Sequence, residues 1–153
     1  MNLLRISPTD TLYGGGWTHK VVLKAADVVA LTKATQYSIF PALKASATFA
    51  AGTRLVDCLL NVTTAGVNGN TLTLSLGDSG SATRFLSAKD LKTATRYQGT
   101  AMPYPYTSAS HIDIQIDTAG TDLTGVTALV AEIYLKLDTD ADAVKTTAPI
   151  APP

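Results

Sequence analysis

The chain is predicted to be all-β: a two-sheet antiparallel β-sandwich, jelly-roll-like, with an extended N-terminal arm. Three observations predict it. Apolar residues recur at every second position in several runs, most plainly in "LTLSLGDSG" at 72–80 and "HIDIQIDT" at 111–118, and that period sends alternate side chains to opposite faces of a strand. Short clusters of glycine, proline, asparagine and aspartate separate the runs and supply turn chemistry. No segment combines the length and the 3.6-residue period of a major helix. With 153 residues the chain suffices for one ordinary domain, which buries roughly two-thirds of its unfolded surface. The expected division is an arm over 1–16, a sandwich over 17–137 and an acidic, proline-rich segment over 138–153.

The arm is read from Pro8 and the glycines at 14–16, which are costly to order as core elements. Trp17, His19, Val21 and Leu23 then alternate with Thr18, Lys20 and Val22, the pattern of a first strand. "AADVVAL" adds one helical turn with Asp27 as its cap. Residues 34–40 form a second extended run that ends near Pro41. Ala45, Ala47 and Phe49 offer a further alternating face. In "TRLVDCLLNVTT", at 53–64, Val56, Cys58, Leu60 and Val62 point inward, with Asp57, Leu59 and Asn61 opposite. Leu55 and Leu59 make both sides apolar, so either both faces are covered or a bulge changes the phase.

Leu72, Leu74 and Leu76 alternate with Thr73 and Ser75, and Gly77, Asp78 and Gly80 end the run because aspartate bonds back to its own backbone. "GVNGN" is the turn that feeds this strand. Ile112, Ile114 and Ile116 point inward, against His111, Asp113, Gln115 and Asp117 on an exposed face. The last strand sets Leu129, Ala131, Ile133, Leu135 and Leu137 against Val130, Glu132, Tyr134 and Lys136. "LKAADV" at 23–28 and "LSAKDL" at 86–91 echo each other, either as a duplicated strand-turn-strand unit or by chance.

Composition bounds the function. Hydrophobic residues make up 46% of the chain and charged residues only 16%, against roughly 25% charged in ordinary soluble domains. Twelve basic residues balance twelve acidic ones. A nucleic-acid partner is not expected, because such binding needs clustered Lys and Arg, and zero net charge leaves little repulsion against association. The apolar run near the N-terminus is too short for a signal peptide, and no 18-residue apolar stretch suits a membrane helix. Synthesis in the cytoplasm and no membrane partner are the expectations.

No catalytic group, metal or cofactor is expected. Cys58, the one cysteine, reads as a small buried hydrophobe. His19 lies on the apolar face. His111 and Asp113 share one side of a strand, but no nucleophile setting accompanies them. Asp138, Asp140 and Asp142 begin like a calcium loop, yet Ala143 stands at the sharp-turn glycine position and Pro149 at that of the bidentate glutamate. "GGGW" lacks the spacing and the lysine of a phosphate loop. "MPYPYTS" holds Tyr104 and Tyr106 between prolines, either as rigid contact anchors or packed on their own domain.

In these features, an N-terminal arm, "LTLSLGDSG" followed by "TRFLSAKDL", and Thr/Ala-rich alternating strands, the chain resembles the head decoration, or cement, proteins of tailed bacteriophages. The resemblance spans roughly residues 17–137. It implies a non-enzymatic virion protein on the outer surface of the capsid, made in the host cytoplasm, that forms homotrimers and stabilises junctions between major capsid subunits. Small sandwich proteins of phage tails and connectors share the style, and a carbohydrate- or ligand-binding sandwich is the competing class. The residues expected at an interface are Leu3, Leu4, Ile6, Trp17, Leu55, Leu59, Tyr104 and Tyr106.

Overall fold

A computed structural model describes residues 1–5, 16–43 and 46–138. The described strands are β1 (Asn2–Arg5), β2 (His19–Lys24), β3 (Gln36–Phe40), β4 (Arg54–Thr64), β5 (Thr73–Asp78), β6 (Ser81–Asp90), β7 (Arg96–Gln98), β8 (Tyr104–Pro105), β9 (Ile112–Asp117) and β10 (Val130–Asp138), with one helical turn, α1 (Ala25–Val28). They form two antiparallel sheets packed face to face. One has the order β1-β2-β10-β4-β7, with β8 also on β4, and the other β3-β9-β5-β6.

The period-two rows become the core. Leu72, Leu74, Leu76, Ile112 and Ile114 are fully buried and Ile116 nearly so, facing Val21, Leu23, Leu60, Val62, Ile133 and Leu135 from the other sheet. Each such side chain, once fully buried, contributes about 1.5–3 kcal/mol relative to exposure.

A bulge settles the double-sided apolar run of β4. Leu137 pairs with Leu55 while Lys136 pairs with Asp57, so Val56 is an extra residue and the phase shifts there. Leu55 therefore joins Cys58, Leu60 and Val62 in the core, whereas Val56, expected inward, is only half-buried. A second register shift, between Val130 and Ala131, sets Thr64 and Val62 against those two residues.

Several local expectations are corrected. Trp17 does not continue the inward row: β2 begins at His19, and the chain before it leaves Gly16 at φ 66°. The Trp17 ring instead lies 5.9 Å from that of Tyr134, a residue of the opposite face of β10. Asp27 sits inside α1 rather than before it, and its carboxylate accepts from the Lys24 N–H at 2.8 Å. Phe49 makes only an isolated bridge to Ser110 instead of belonging to a strand, and Ala45 lies outside the described residues. The two echoed segments differ in structure, since 23–28 runs from strand into helix while 86–90 stays within β6.

Of the expected arm, Asn2–Arg5 pairs with β2, Leu3 opposite Val21 and Leu4 opposite Lys20. The Met1 ammonium is paired with Asp27. Ile6 lies outside the described residues, as do Asp140 and Asp142.

Truncating Ile114 to alanine is expected to cost about 2–5 kcal/mol, because a fully buried branched side chain leaves a cavity that the two sheets cannot close. Equilibrium urea unfolding of the wild type and variant measures it. A loss under 1 kcal/mol would place Ile114 outside the close-packed core.

Candidate functional site

The densest polar cluster lies where β5 turns into β6. Asp78 continues the inward row of Leu72, Leu74 and Leu76, so the strand carries a carboxylate into the edge of the core, where it is 2% exposed. The local sequence then satisfies it. Oδ1 accepts from the N–H groups of Gly80 and Ser81, both at 2.9 Å. Oδ2 accepts from Arg84 Nε at 2.6 Å and from the Tyr106 hydroxyl at 3.1 Å. The backbone carbonyl of Asp78 accepts from Gln36 Nε2 at 3.0 Å.

Gly77 permits this turn to fold so closely. A Cβ at that position would stand 1.9 Å from the Ser81 carbonyl oxygen, closer than any real contact. The hydrogen bond to Asp78, and then its charge, raise the Arg84 guanidinium's proton affinity against the opposing effect of burial. Burial, then the Asp78 charge, push the Tyr106 phenol far above its ordinary value.

Aromatic rings extend from this point. Tyr104 stacks edge-on with Tyr106 at 4.9 Å and with Phe85 at 5.7 Å, and the Arg84 guanidinium lies 4.6 Å from the Tyr104 ring. On the other side Tyr106 meets Phe49 at 4.7 Å, Phe49 meets Phe40 at 5.9 Å, and Phe40 meets His19 at 4.7 Å. Rings from β2, β3, β6, β8 and the loops between strands thus line one end of the sandwich. Edge-to-face pairs of this kind are worth about 0.5–1.5 kcal/mol each beyond area burial.

Asp113 adjoins the cluster. It was expected on an exposed face, yet it is 3% exposed, enclosed by His111 and by Gln36 of β3, which both bond to it. His111 Nε2 lies 3.1 Å from Asp113 Oδ2, which also accepts from Gln36 Nε2 at 3.2 Å. His111 Nδ1 and Asp113 Oδ1 are buried without a partner among the described residues. Burial pushes the Asp113 carboxyl above its ordinary value of 3.8, His111 pulls it back, and Asp78 adds to the rise.

The expected interface residues separate. Leu55 is fully enclosed and Tyr106 is 7% exposed, so both are core residues that present no anchor at the surface. Tyr104 and Trp17 are half-buried, and Leu59 is half-buried on the outer side of β4, opposite Tyr134 and Gln98. Trp17 and Leu59 both adjoin Tyr134, the first by its ring and the second as its pairing partner, whereas Tyr104 packs with Phe85 and Tyr106. Tyr104 and Tyr106 pack on their own domain, one of the two alternatives their sequence left open.

Among the described residues, no three His, Cys, Asp or Glu side chains are grouped to hold a metal. Asp138 is paired with Arg54. No described helix is long and apolar enough to cross a membrane. The Asp78 network escaped sequence reasoning, although an aspartate at the inward position after three leucines was its signal.

No family profile matches the chain, and no curated protein does. Two solved structures are similar. One is a chain from the cyanophage Pam1 capsid asymmetric unit, 20% identical, with 76% of this chain and 79% of that chain covered and a TM-score of 0.45. The other is a chain from the acidic stable capsid structure of Helicobacter pylori bacteriophage KHP30, 17% identical, with 78% of this chain and 87% of that chain covered and a TM-score of 0.47.

Two outcomes are expected at this end of the molecule. Tyr106→Phe removes a donor from a buried carboxylate and should cost about 1–3 kcal/mol, read by urea unfolding, whereas an unchanged midpoint would mean Asp78 is held without it. The Cys58 thiol, pushed up to about 12 by burial and then by Asp57, carries roughly a thousandfold less thiolate than at its ordinary value of 9.0. A disulfide reagent at pH 8 should therefore label unfolded protein at once and native protein only at the rate of unfolding. Fast native labelling would contradict the burial.

Proposed function

We propose that this protein is a non-enzymatic structural component of a virion: a capsid decoration, or cement, protein that sits on the outer surface of a phage capsid as a homotrimer and stabilises junctions between major capsid subunits. The observation that carries this reading is the position of β1. Asn2–Arg5 is an edge strand of the six-stranded sheet, and ten residues, 6–15, separate it from the next described segment. Backbone donors and acceptors on an edge strand pair equally well with their own sheet or with a neighbour's. An edge strand of this kind is suited to fastening one subunit to the next.

Other features agree. The strand orders β2-β10-β4-β7 and β3-β9-β5-β6 support a jelly roll, with β1 and β8 as additions. The segments that carry the resemblance to decoration proteins, "LTLSLGDSG" and "TRFLSAKDL", are β5, its turn and β6, the hairpin organised by Asp78. Low charge and zero net charge favour a protein that covers surface against copies of itself and a shell. Many copies on a closed shell make a weak individual contact effective.

Light scattering at micromolar concentration is expected to give three times the 16.0 kDa chain mass. A monomer both there and on the particle would remove the trimer. Deleting residues 2–13 is expected to leave a folded sandwich whose binding to undecorated shells is weakened roughly tenfold or more. Undiminished decoration by that variant would show that the N-terminal strand only covers its own sheet.

A further inference from the structure

The buried cluster at the start of β9 holds an unequal number of charges. Two carboxylates, Asp78 and Asp113, are 2% and 3% exposed. One guanidinium, Arg84, is bonded to Asp78. The neighbouring strand β3 contributes Gln36, which has no charge, and the segment before β9 contributes Tyr106, whose phenol stays protonated. His111 is the remaining titratable group facing Asp113. With a neutral imidazole the cluster therefore carries one unmatched negative charge, which is costly in a buried place.

The hydrogen bonds show where a compensating proton can go. Gln36 Nε2 donates to a backbone carbonyl, that of Asp78, and to Asp113 Oδ2. Asp113 Oδ2 is thus an acceptor, and the 3.1 Å bond from His111 is donated by the imidazole Nε2–H. A neutral imidazole with its proton on Nε2 has a bare Nδ1. That atom and Asp113 Oδ1 are the buried side-chain atoms without a partner among the described residues, and Oδ1 is the position at which the Asp113 carboxyl can take a proton.

We propose that Asp113, with His111 bonded to it, forms a proton-operated latch, which holds the start of β9 and the Tyr106–His111 segment against β3 and β5 while its carboxyl is protonated and loosens them when that proton is lost. Burial disfavours the ionised Asp113 carboxyl, and so does the charge of Asp78, and together they outweigh the opposing pull of His111, so folded Asp113 binds its proton more tightly than an unfolded aspartate does. The linkage follows in sign. Stabilisation from the latch is fully present below the ordinary aspartate value of 3.8 and is lost as the pH rises through the raised folded value. The three carboxylates Asp27, Asp90 and Asp122, all held low, act in the opposite direction, losing their contribution as the pH falls. The latch is therefore visible as a difference between variants.

Asp113→Asn keeps the shape and an oxygen acceptor for Gln36 but cannot ionise. Its thermal midpoint is expected to match that of the wild type near pH 4 and to exceed it increasingly as the pH is raised to 9. A constant offset across that range overturns the proposal. Native-state hydrogen exchange at the amides of residues 110–114, corrected for the intrinsic pH dependence, supplies the local readout. Protection in the wild type should fall by up to about tenfold per pH unit through the titration and stay level in Asp113→Asn. Level protection in both proteins, or the same fall in both, would sink the idea.

Discussion

One buried carboxylate holds the end of the sandwich at which the sheets are joined. Asp78 accepts from two backbone amides of its own turn, from Arg84 on β6 and from Tyr106 beyond β8. These partners come from the β5–β6 hairpin and from the segment that follows β8, so satisfying the charge also fixes how that hairpin meets the chain that leaves β8. An enclosed carboxylate lacking any of them would be strongly destabilising. The rings between Phe85 and His19 pack outward from that point, and Gly77 lets the turn approach closely enough for the two amides to reach Oδ1.

The strands were legible wherever one face alone is buried. Leu72 to Leu76 and Ile112 to Ile116 declare themselves because a slip of one residue would turn every leucine or isoleucine into water. The reading failed where a strand changes phase or has both faces covered. Nothing local at Val56 marks a bulge, since the extra residue is set by the register with β10. Asp113 looks solvent-facing in any period-two pattern, and its burial comes with contacts from His111 and from Gln36 on the neighbouring strand β3. Tyr106 is decided by a partner 28 residues away, a distance that spacing rules do not span. Trp17 left its row because the strand starts two residues later than alternation implies.

The exterior and the interior divide the labour. Shape is held by a continuous core and one organised polar end, while exposed threonine, serine and alanine positions dominate much of the surface. Leu43 and Val67 are the large hydrophobic residues exposed among the described residues. Contacts with other chains would then fall on backbone edges and on half-buried side chains such as Leu59. Such contacts demand geometric fit more than hydrophobic area.

The placement of β10 bears on how the protein is made. This strand lies between β2 and β4 in the six-stranded sheet, pairing with both along most of its length. During synthesis the four-stranded sheet has all its strands once β9 has emerged, but β2 and β4 keep open edges until residues 130–138 leave the ribosome. Joining strands so far apart in sequence is slow, because the loop entropy is spent before the contacts form. Until then the nascent chain exposes one open edge on each of two apolar strands, the condition under which neighbouring chains pair wrongly. Yield of the folded protein is thus governed by the time its last strand takes to reach a gap left open by its first.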